Sequence, residues 1–155
     1  MPEKTIQQSE NANAQVLPGR YLALDIGEKR IGVAISDELK ISIKALPPIQ
    51  RTSWKRLLQQ TKEIIQHYDA RALVIGLPLR LDNTAGMAAA EMQRTAEKFR
   101  LSLEIPVFLQ DEKLTTADAR DNLRAAGVAA HEVETYIDSA AAAIILQDFI
   151  TERQQ

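Results

Sequence analysis

The stretch Tyr21 to Asp37, Y-L-A-L-D-I-G-E-K-R-I-G-V-A-I-S-D, contains the pattern that decides the fold of this chain. It predicts a buried strand that ends at Asp25, a tight turn at Gly27 and a second strand from Ile31 to Ser36. Burial of an ionised carboxylate without a partner is strongly unfavourable. Asp25 is therefore either a turn residue that accepts backbone hydrogen bonds or a member of a charged site. Asp37, at the other end of the hairpin, is expected in a turn.

The remaining chain alternates strand and helix patterns. Beyond the hairpin we predict an outer strand, a helix, a buried strand, a helix, a buried strand and two further helices; their ranges are Lys40–Leu46, Ser53–Tyr68, Ala72–Gly76, Ala85–Leu103, Val107–Gln110, Ala117–Ala126 and Glu132–Phe149. Pro47-Pro48 is expected to end the outer strand. The order predicts an α/β fold with a mixed sheet, in which the first three strands are antiparallel and the later ones parallel, flanked by helices.

Length and composition exclude several classes of protein. A chain of 155 residues suits one domain, and its polar residues 1–19 predict a flexible N-terminal extension before a domain at 20–155. There is no Cys and only two His, which excludes disulfides, thiolate sites and a His-rich zinc site. A metal would have to be held by oxygen, which points to Mg²⁺, Mn²⁺ or Ca²⁺.

The charge is unevenly distributed along the chain. A net charge of −2 argues against a protein that simply coats nucleic acid, but the segment from Lys29 to Lys62 is clearly basic. Such residues can also be an ordinary solvated face. The chain shows neither the apolar segment of a secretory signal nor a run of about 20 apolar residues. We therefore expect a cytoplasmic protein that is not embedded in a membrane.

Three acidic residues occupy positions where a sheet usually builds a site. Asp25 and the Asp111-Glu112 pair follow strands, and the carboxyl ends of parallel strands meet at one edge. Asp138 lies in the last helix beside the small residues Ser139 to Ala143, which allow close approach to the sheet; alternatively it only offsets the helix dipole. A pair of Mg²⁺ ions about 4 Å apart would relieve the repulsion between Asp25, Glu112 and Asp138 and support phosphodiester cleavage.

Basic and hydroxyl residues near these acids could bind phosphates. Lys29 and Arg30 lie on the first turn, and Lys113 follows Glu112 directly, where a surface ion pair is an equal possibility. Thr115 and Thr116 could cap the next helix and offer hydroxyls to an anion. Trp54 is expected in the core rather than as a base-stacking platform.

Four motifs occur in a distinctive order: D-I-G-E-K-R-I-G-V-A-I-S-D, V-I-G-L-P-L-R-L-D-N-T-A-G, P-V-F-L-Q-D-E-K-L-T-T and D-S-A-A-A-A-I-I-L-Q-D-F. Together they resemble the YqgF (also called RuvX) family of Holliday junction resolvase-like proteins, regarded as pre-16S rRNA nucleases. The resemblance covers Arg20 to Ile150.

The resemblance implies an RNase H-like fold and metal-dependent maturation of the 5′ end of 16S rRNA, with pre-16S rRNA as the nucleic-acid partner. It matches Asp25, Glu112 and Asp138 to the family's acids, and Lys29 and Arg30 to its K-R turn. The family commonly has Arg where this chain has Lys113, so bidentate phosphate geometry is lost there.

Other functions remain open at this point. A DNA junction resolvase would use the same chemistry, although it would need a dimer to cut two symmetric strands, and a monomer is expected here. The fold could also serve a non-catalytic RNA- or ribosome-associated protein. An ATP-binding, actin-like module would also begin with D-I-G, but 155 residues hardly allow its two domains.

Overall fold

A computed structural model describes residues 18–78, 85–112, 125, 127 and 129–153. The hairpin strands are β1 (Arg20–Ile26) and β2 (Arg30–Ser36), and the remaining described elements are β3 (Ile43–Gln50), α1 (Trp54–Tyr68), β4 (Ala70–Pro78), α2 (Ala85–Ser102), β5 (Val107–Glu112) and α3 (Ala130–Arg153). Residues 1–17 of the extension predicted at 1–19, and all of the helix predicted at 117–126 except residue 125, lie outside the described residues. Among the described helices, none combines the length and apolarity of a membrane span.

The strands form one five-stranded sheet in the order β3-β2-β1-β4-β5. β1 pairs antiparallel with β2, and β2 with β3, whereas β4 runs parallel to both β1 and β5. The mixed sheet predicted from the sequence is therefore confirmed. β4 and β5 each run two residues further than predicted, to Pro78 and Glu112, which pair with each other.

Helices cover both faces of the sheet. On one face α1 and α2 pack against Leu22, Leu24, Leu73 and Ile75, and Phe99 of α2 is fully buried there. On the other face α3 packs against the alternate residues of the same strands, through side chains that include Leu146 and Phe149. Burial on both faces explains why β1 and β4 read as continuous apolar runs. It also means that the odd-numbered residues of β1 face α3.

Pro47 and Pro48 do not end β3, so that prediction is wrong. The pairs Ile31↔Ile49 and Val33↔Leu46 leave Gly32 alone opposite the two prolines, which is a bulge with one extra residue on β3. Because β3 is an edge strand, a residue without an N–H group can be accommodated at that bulge. The outer strand continues to Gln50 and begins at Ile43, three residues later than predicted.

Local contacts explain where the hairpin and α1 begin and end. The Asp37 carboxylate accepts hydrogen bonds from the N–H groups of Ile41 at 2.7 Å and Ser42 at 3.0 Å, which confirms that Asp37 is a turn residue. The Ser53 hydroxyl caps α1 by accepting from the Arg56 N–H at 3.2 Å. Trp54 packs edge-on against Phe99, with ring centroids 4.7 Å apart, so its predicted core position is confirmed.

Candidate active site

Asp25 is the penultimate residue of β1 and lies at the carboxyl end of the sheet. The preceding residues on its face, Tyr21 and Ala23, are buried against α3, whereas Asp25 itself is partly exposed. In the antiparallel ladder Asp25 pairs with Gly32 of β2. The strand thus carries one carboxylate from a buried face to a partly exposed position.

Glu112 ends β5 on the same face of the sheet. Phe108 packs against α3 on this face, and the Gln110 amide donates to the Glu152 carboxylate of α3 at 3.0 Å. Alternation along the strand therefore directs Glu112 towards the α3 side and Asp111 towards the other. Glu112 is partly exposed, as Asp25 is.

Gly76 of β4 lies between the two acids. Leu24 pairs with Ile75, so Asp25 and Gly76 are the next residues on their adjacent strands. A Cβ atom added to Gly76 would lie 3.3 Å from Oε2 of Glu112, which shows that the Glu112 carboxylate occupies the space above this glycine. Strands lie about 4.8 Å apart, so β1 and β5 are separated by about 10 Å. Asp25 and Glu112 therefore lie on the same face of the sheet, one strand to either side of Gly76.

Ser139 ties α3 to the sheet next to the third predicted acid. Its buried hydroxyl accepts a hydrogen bond from the Val33 N–H at 3.2 Å and donates one to the Leu46 carbonyl. Val33 and Leu46 are paired across β2 and β3 next to the bulge. The Ser139 hydroxyl therefore replaces hydrogen bonding between these two strands that the prolines disturb. The Asp138 backbone lies in α3 directly before Ser139, and its side chain is outside the described part of the chain.

The described structure places two of the three predicted acids, Asp25 and Glu112, at the same edge and on the same face of the sheet. Within the described residues no group of three or more His, Cys, Asp or Glu side chains could hold a metal ion. Asp25 and Glu112 nevertheless fit a hard cation by their chemistry, because both supply carboxylate oxygens at the same edge and on the same face of the sheet. Asp138 as a third ligand stays a prediction.

Lys29 lies on the turn that follows Asp25, as predicted, whereas Arg30, predicted on the same turn, is the first residue of β2. Both are exposed, and Arg30 begins β2 opposite Gln50 of β3. The turn is tight: the Gly27 N–H donates to the Arg30 carbonyl at 3.0 Å, and a Cβ on Gly27 would lie only 2.7 Å from that oxygen. Lys113, Thr115 and Thr116 lie outside the described residues, so their predicted roles are not addressed.

Arg51 is a residue at this turn that the sequence reasoning did not select. Its Nη1 atom donates to the Gly27 carbonyl at 2.9 Å, and its Nη2 atom pairs with the Glu91 carboxylate at 3.2 Å.

Gly76 was predicted only as the end of a buried strand, not as part of a site. A glycine inside a buried strand, in V-I-G-L-P, is the sequence signal for close approach of another group.

Comparison with known proteins gives consistent matches along the chain. The family described as "RuvX: Holliday junction resolvase" matches residues 19–152. A protein of Syntrophus aciditrophicus (strain SB), named "Putative pre-16S rRNA nuclease", is 40% identical over 131 residues, which cover 84% of this chain and 87% of that protein. A protein of the same name from Roseiflexus sp. (strain RS-1) is 36% identical over 137 residues, which cover 88% of this chain and 97% of that protein.

Solved structures of low sequence identity share the fold. T. thermophilus RuvC in complex with a Holliday junction substrate superposes with a TM-score of 0.53 at 12% identity, covering 86% of this chain and 95% of that one. The fowlpox virus Holliday junction resolvase gives a TM-score of 0.52 at 13% identity, covering 88% of this chain and 99% of that one. These likenesses confirm the expected RNase H-like fold.

Proposed function

This chain belongs to the RuvX family of Holliday junction resolvase-like nucleases, and from that premise we propose that it is a metal-dependent endonuclease that processes the 5′ end of pre-16S rRNA. One observation carries the proposal. Asp25 and Glu112 reach the carboxyl edge of the sheet from strands on either side of β4, and Gly76 leaves the space above β4 for the Glu112 carboxylate. Oxygen ligands without a required His or Cys suit Mg²⁺ or Mn²⁺.

Each residue of the site has a role that follows from its position. Asp25 and Glu112 would hold the metal on rigid strand ends, and Asp138 would complete the ligand set from α3. Lys29 and Arg30 would bind phosphates on either side of the scissile bond, because both are exposed on the turn beside Asp25. When bound, a pair of divalent ions supplies an activated water and charge neutralisation at the phosphate.

The choice of ribosomal RNA rests on the curated relatives. Proteins named as pre-16S rRNA nucleases match this chain over 84% and 88% of its length, and over nearly their whole length. We infer that the chain acts on the same class of substrate, in a cytoplasmic step of ribosome biogenesis. We also expect it to act as a monomer, since a single processing cut does not require two symmetric active sites.

The test is cleavage of a 5′-extended 16S rRNA precursor in the presence of Mg²⁺ by Asp25→Asn and by a matched control, Asp37→Asn. Asp37 is an aspartate of the same hairpin at the opposite end, and asparagine can still accept its two backbone hydrogen bonds. We expect Asp25→Asn to lose at least about 10²-fold in rate while its melting temperature is retained. Asp37→Asn should cleave as the wild type does. Full activity of Asp25→Asn would refute the proposed mechanism.

A DNA junction resolvase is the second candidate, because the matching family is described by that activity. The same preparation should be assayed on a four-way DNA junction and on the RNA precursor. Symmetric cleavage of the junction by a dimer, with an intact RNA precursor, would favour the resolvase function. Binding of RNA without cleavage under any divalent metal would instead indicate a non-catalytic ribosome-associated protein.

A further inference from the structure

A cavity of about 420 Å³ opens at the same edge of the sheet as the acids but on the opposite face. It lies between the N-terminal end of α1 and the middle of α2, and Ile26 at the end of β1 forms part of its wall. Ile26 directly follows Asp25. The cavity therefore begins one residue from the candidate active site, on the side that α3 does not cover.

The cavity has a surplus of positive charge. Among the described residues, three cationic side chains, Arg51, Arg94 and Lys98, line it together with one carboxylate, Glu91. Glu91 already pairs with Arg51, whose other nitrogen is held by the Gly27 carbonyl. Two positive charges therefore remain without a compensating anion among the lining residues that the structure describes.

Arg94 and Lys98 carry that excess. They lie one helical turn apart on α2, and neither makes a hydrogen bond or ion pair with the described part of the chain. Lys98 instead lies over the Trp54 ring, with its Nζ atom 5.3 Å from the centroid. Like charges four residues apart destabilise a helix by a few tenths of a kcal/mol, and a bound anion would remove that cost. The pair is thus poorly explained by stability alone.

We propose that this cavity binds a backbone phosphate of the substrate nucleic acid, beyond the phosphates next to the cleaved bond. The inference rests on the proposed nuclease function. The cavity volume falls within the range of about 300–1,000 Å³ that is typical of small-ligand sites, so one phosphate with part of its sugar can enter. Because Trp54 is packed against Phe99 and covered by Lys98, the site would contact the backbone and would not read bases.

The first turn connects the cavity to the acids. Arg51 bonds to the Gly27 carbonyl on one side, and its own N–H donates to the Lys29 carbonyl at 2.9 Å. Lys29 and Arg30 project from that same turn. A strand held at Asp25 and Glu112 would pass these two cations and reach Arg94 and Lys98 next. The four cations would then form a continuous path for the phosphate backbone.

The test compares Arg94→Gln/Lys98→Gln with Lys44→Gln/Lys62→Gln. Both double variants remove two positive charges from exposed positions, and Lys44 and Lys62 do not line the cavity. Binding of the RNA precursor is measured in EDTA, where cleavage is prevented, across a range of salt concentrations. We expect the slope of log K against log salt to become shallower by about 0.7 to 1.8 for the cavity variant, corresponding to one or two lost phosphate contacts.

The control variant should retain the wild-type slope. Equal slopes for the wild type and the cavity variant, or an equal loss in both variants, would overturn the inference. Competition by adenosine 5′-monophosphate and by inorganic phosphate separates the possible sources of the anion. If the cavity variant loses affinity for these small ligands and keeps its RNA slope, the site serves free phosphate compounds and the inference is wrong.

The outcome is separable from that of the nuclease proposal. A cavity variant that binds and cleaves as the wild type does would remove the phosphate site and leave the nuclease proposal intact. If the salt slopes of the wild type and the cavity variant differ as expected, but the wild type never cleaves RNA, the phosphate site is supported and the nuclease proposal is refuted. Melting temperatures of both double variants check that each one is folded.

Discussion

Oε2 of Glu112 lies 3.3 Å from the position that a Cβ atom would take on Gly76. The same Cβ position is 2.6 Å from Cδ1 of Ile145, so a carboxylate from β5 and a core side chain from α3 meet above one glycine. A methyl group at this point would displace both neighbours. The glycine therefore determines how closely Glu112 can approach the Asp25 side of the sheet.

We expect Gly76→Ala to reduce cleavage by about 10- to 100-fold, because a shift of about 1 Å in a catalytic group has effects of this size. The loss of stability should be modest, since Ile145 can move the end of its side chain. Initial cleavage rates and thermal melting measure the two effects. Unchanged cleavage in a folded variant would show that the position of the Glu112 carboxylate is unimportant.

The two neighbouring acids of β5, Asp111 and Glu112, should differ sharply in their contribution to the cleavage rate. Glu112 faces α3 and the space above Gly76, whereas strand alternation directs the exposed Asp111 to the other face. We expect Glu112→Gln to lower cleavage by at least about 10²-fold and Asp111→Asn to change it little. Comparable losses in the two variants would contradict a metal site on the α3 face of the sheet.

Metal binding should be measurable without catalysis. A cation that binds only the folded protein raises its stability by RT ln(1 + [L]/Kd), about 2.7 kcal/mol at a concentration of 100 Kd. We expect Mg²⁺ or Mn²⁺ to raise the melting temperature of the wild type and EDTA to abolish both this shift and cleavage. Asp25→Asn should lose the shift, whereas Asp37→Asn should keep it. Identical shifts in all three proteins would argue against a metal at Asp25.

Ser139→Ala should destabilise the fold by about 1–3 kcal/mol, because it leaves the buried Val33 N–H and Leu46 carbonyl without their partner. Denaturant unfolding measures the change. Ser42→Ala is a suitable comparison, since Ser42 is exposed and should alter the free energy of unfolding by less than about 0.5 kcal/mol. Equal effects of the two substitutions would contradict a bridging role for Ser139.

Asp37 should contribute to the acid dependence of stability. Backbone hydrogen bonds, first that from Ser42, lower the pKa of its carboxyl below the ordinary value of 3.8. A lowered pKa means that the stabilisation is present above the unfolded-state pKa and is lost as the pH falls through the folded-state pKa. The stability difference between wild type and Asp37→Asn should therefore shrink below about pH 4. Unfolding curves from neutral to acidic pH test this, and a constant difference would contradict it.

Much of the fold follows from short-range pattern. Alternation in Tyr21 to Asp37 predicted the hairpin and left Asp25 at a strand end, and the apolar runs around Val74 and Phe108 predicted the parallel strands. These features were predictable because strand alternation and helical periodicity are properties of neighbouring residues. The three acids were selected in the same way, from their places at the ends of strands and in the last helix.

The sequence by itself thus determined the order of the elements, the mixed sheet and the residues available for metal chemistry. Only the tertiary structure decided that β3 continues through Pro47 and Pro48, because an edge position and a bulge depend on which strands are neighbours. Only the tertiary structure brought Glu112 over Gly76, and Arg51 beside Arg94 and Lys98. Those groups come from distant parts of the chain, and their contacts arise from packing of the sheet and helices rather than from any local preference of the residues.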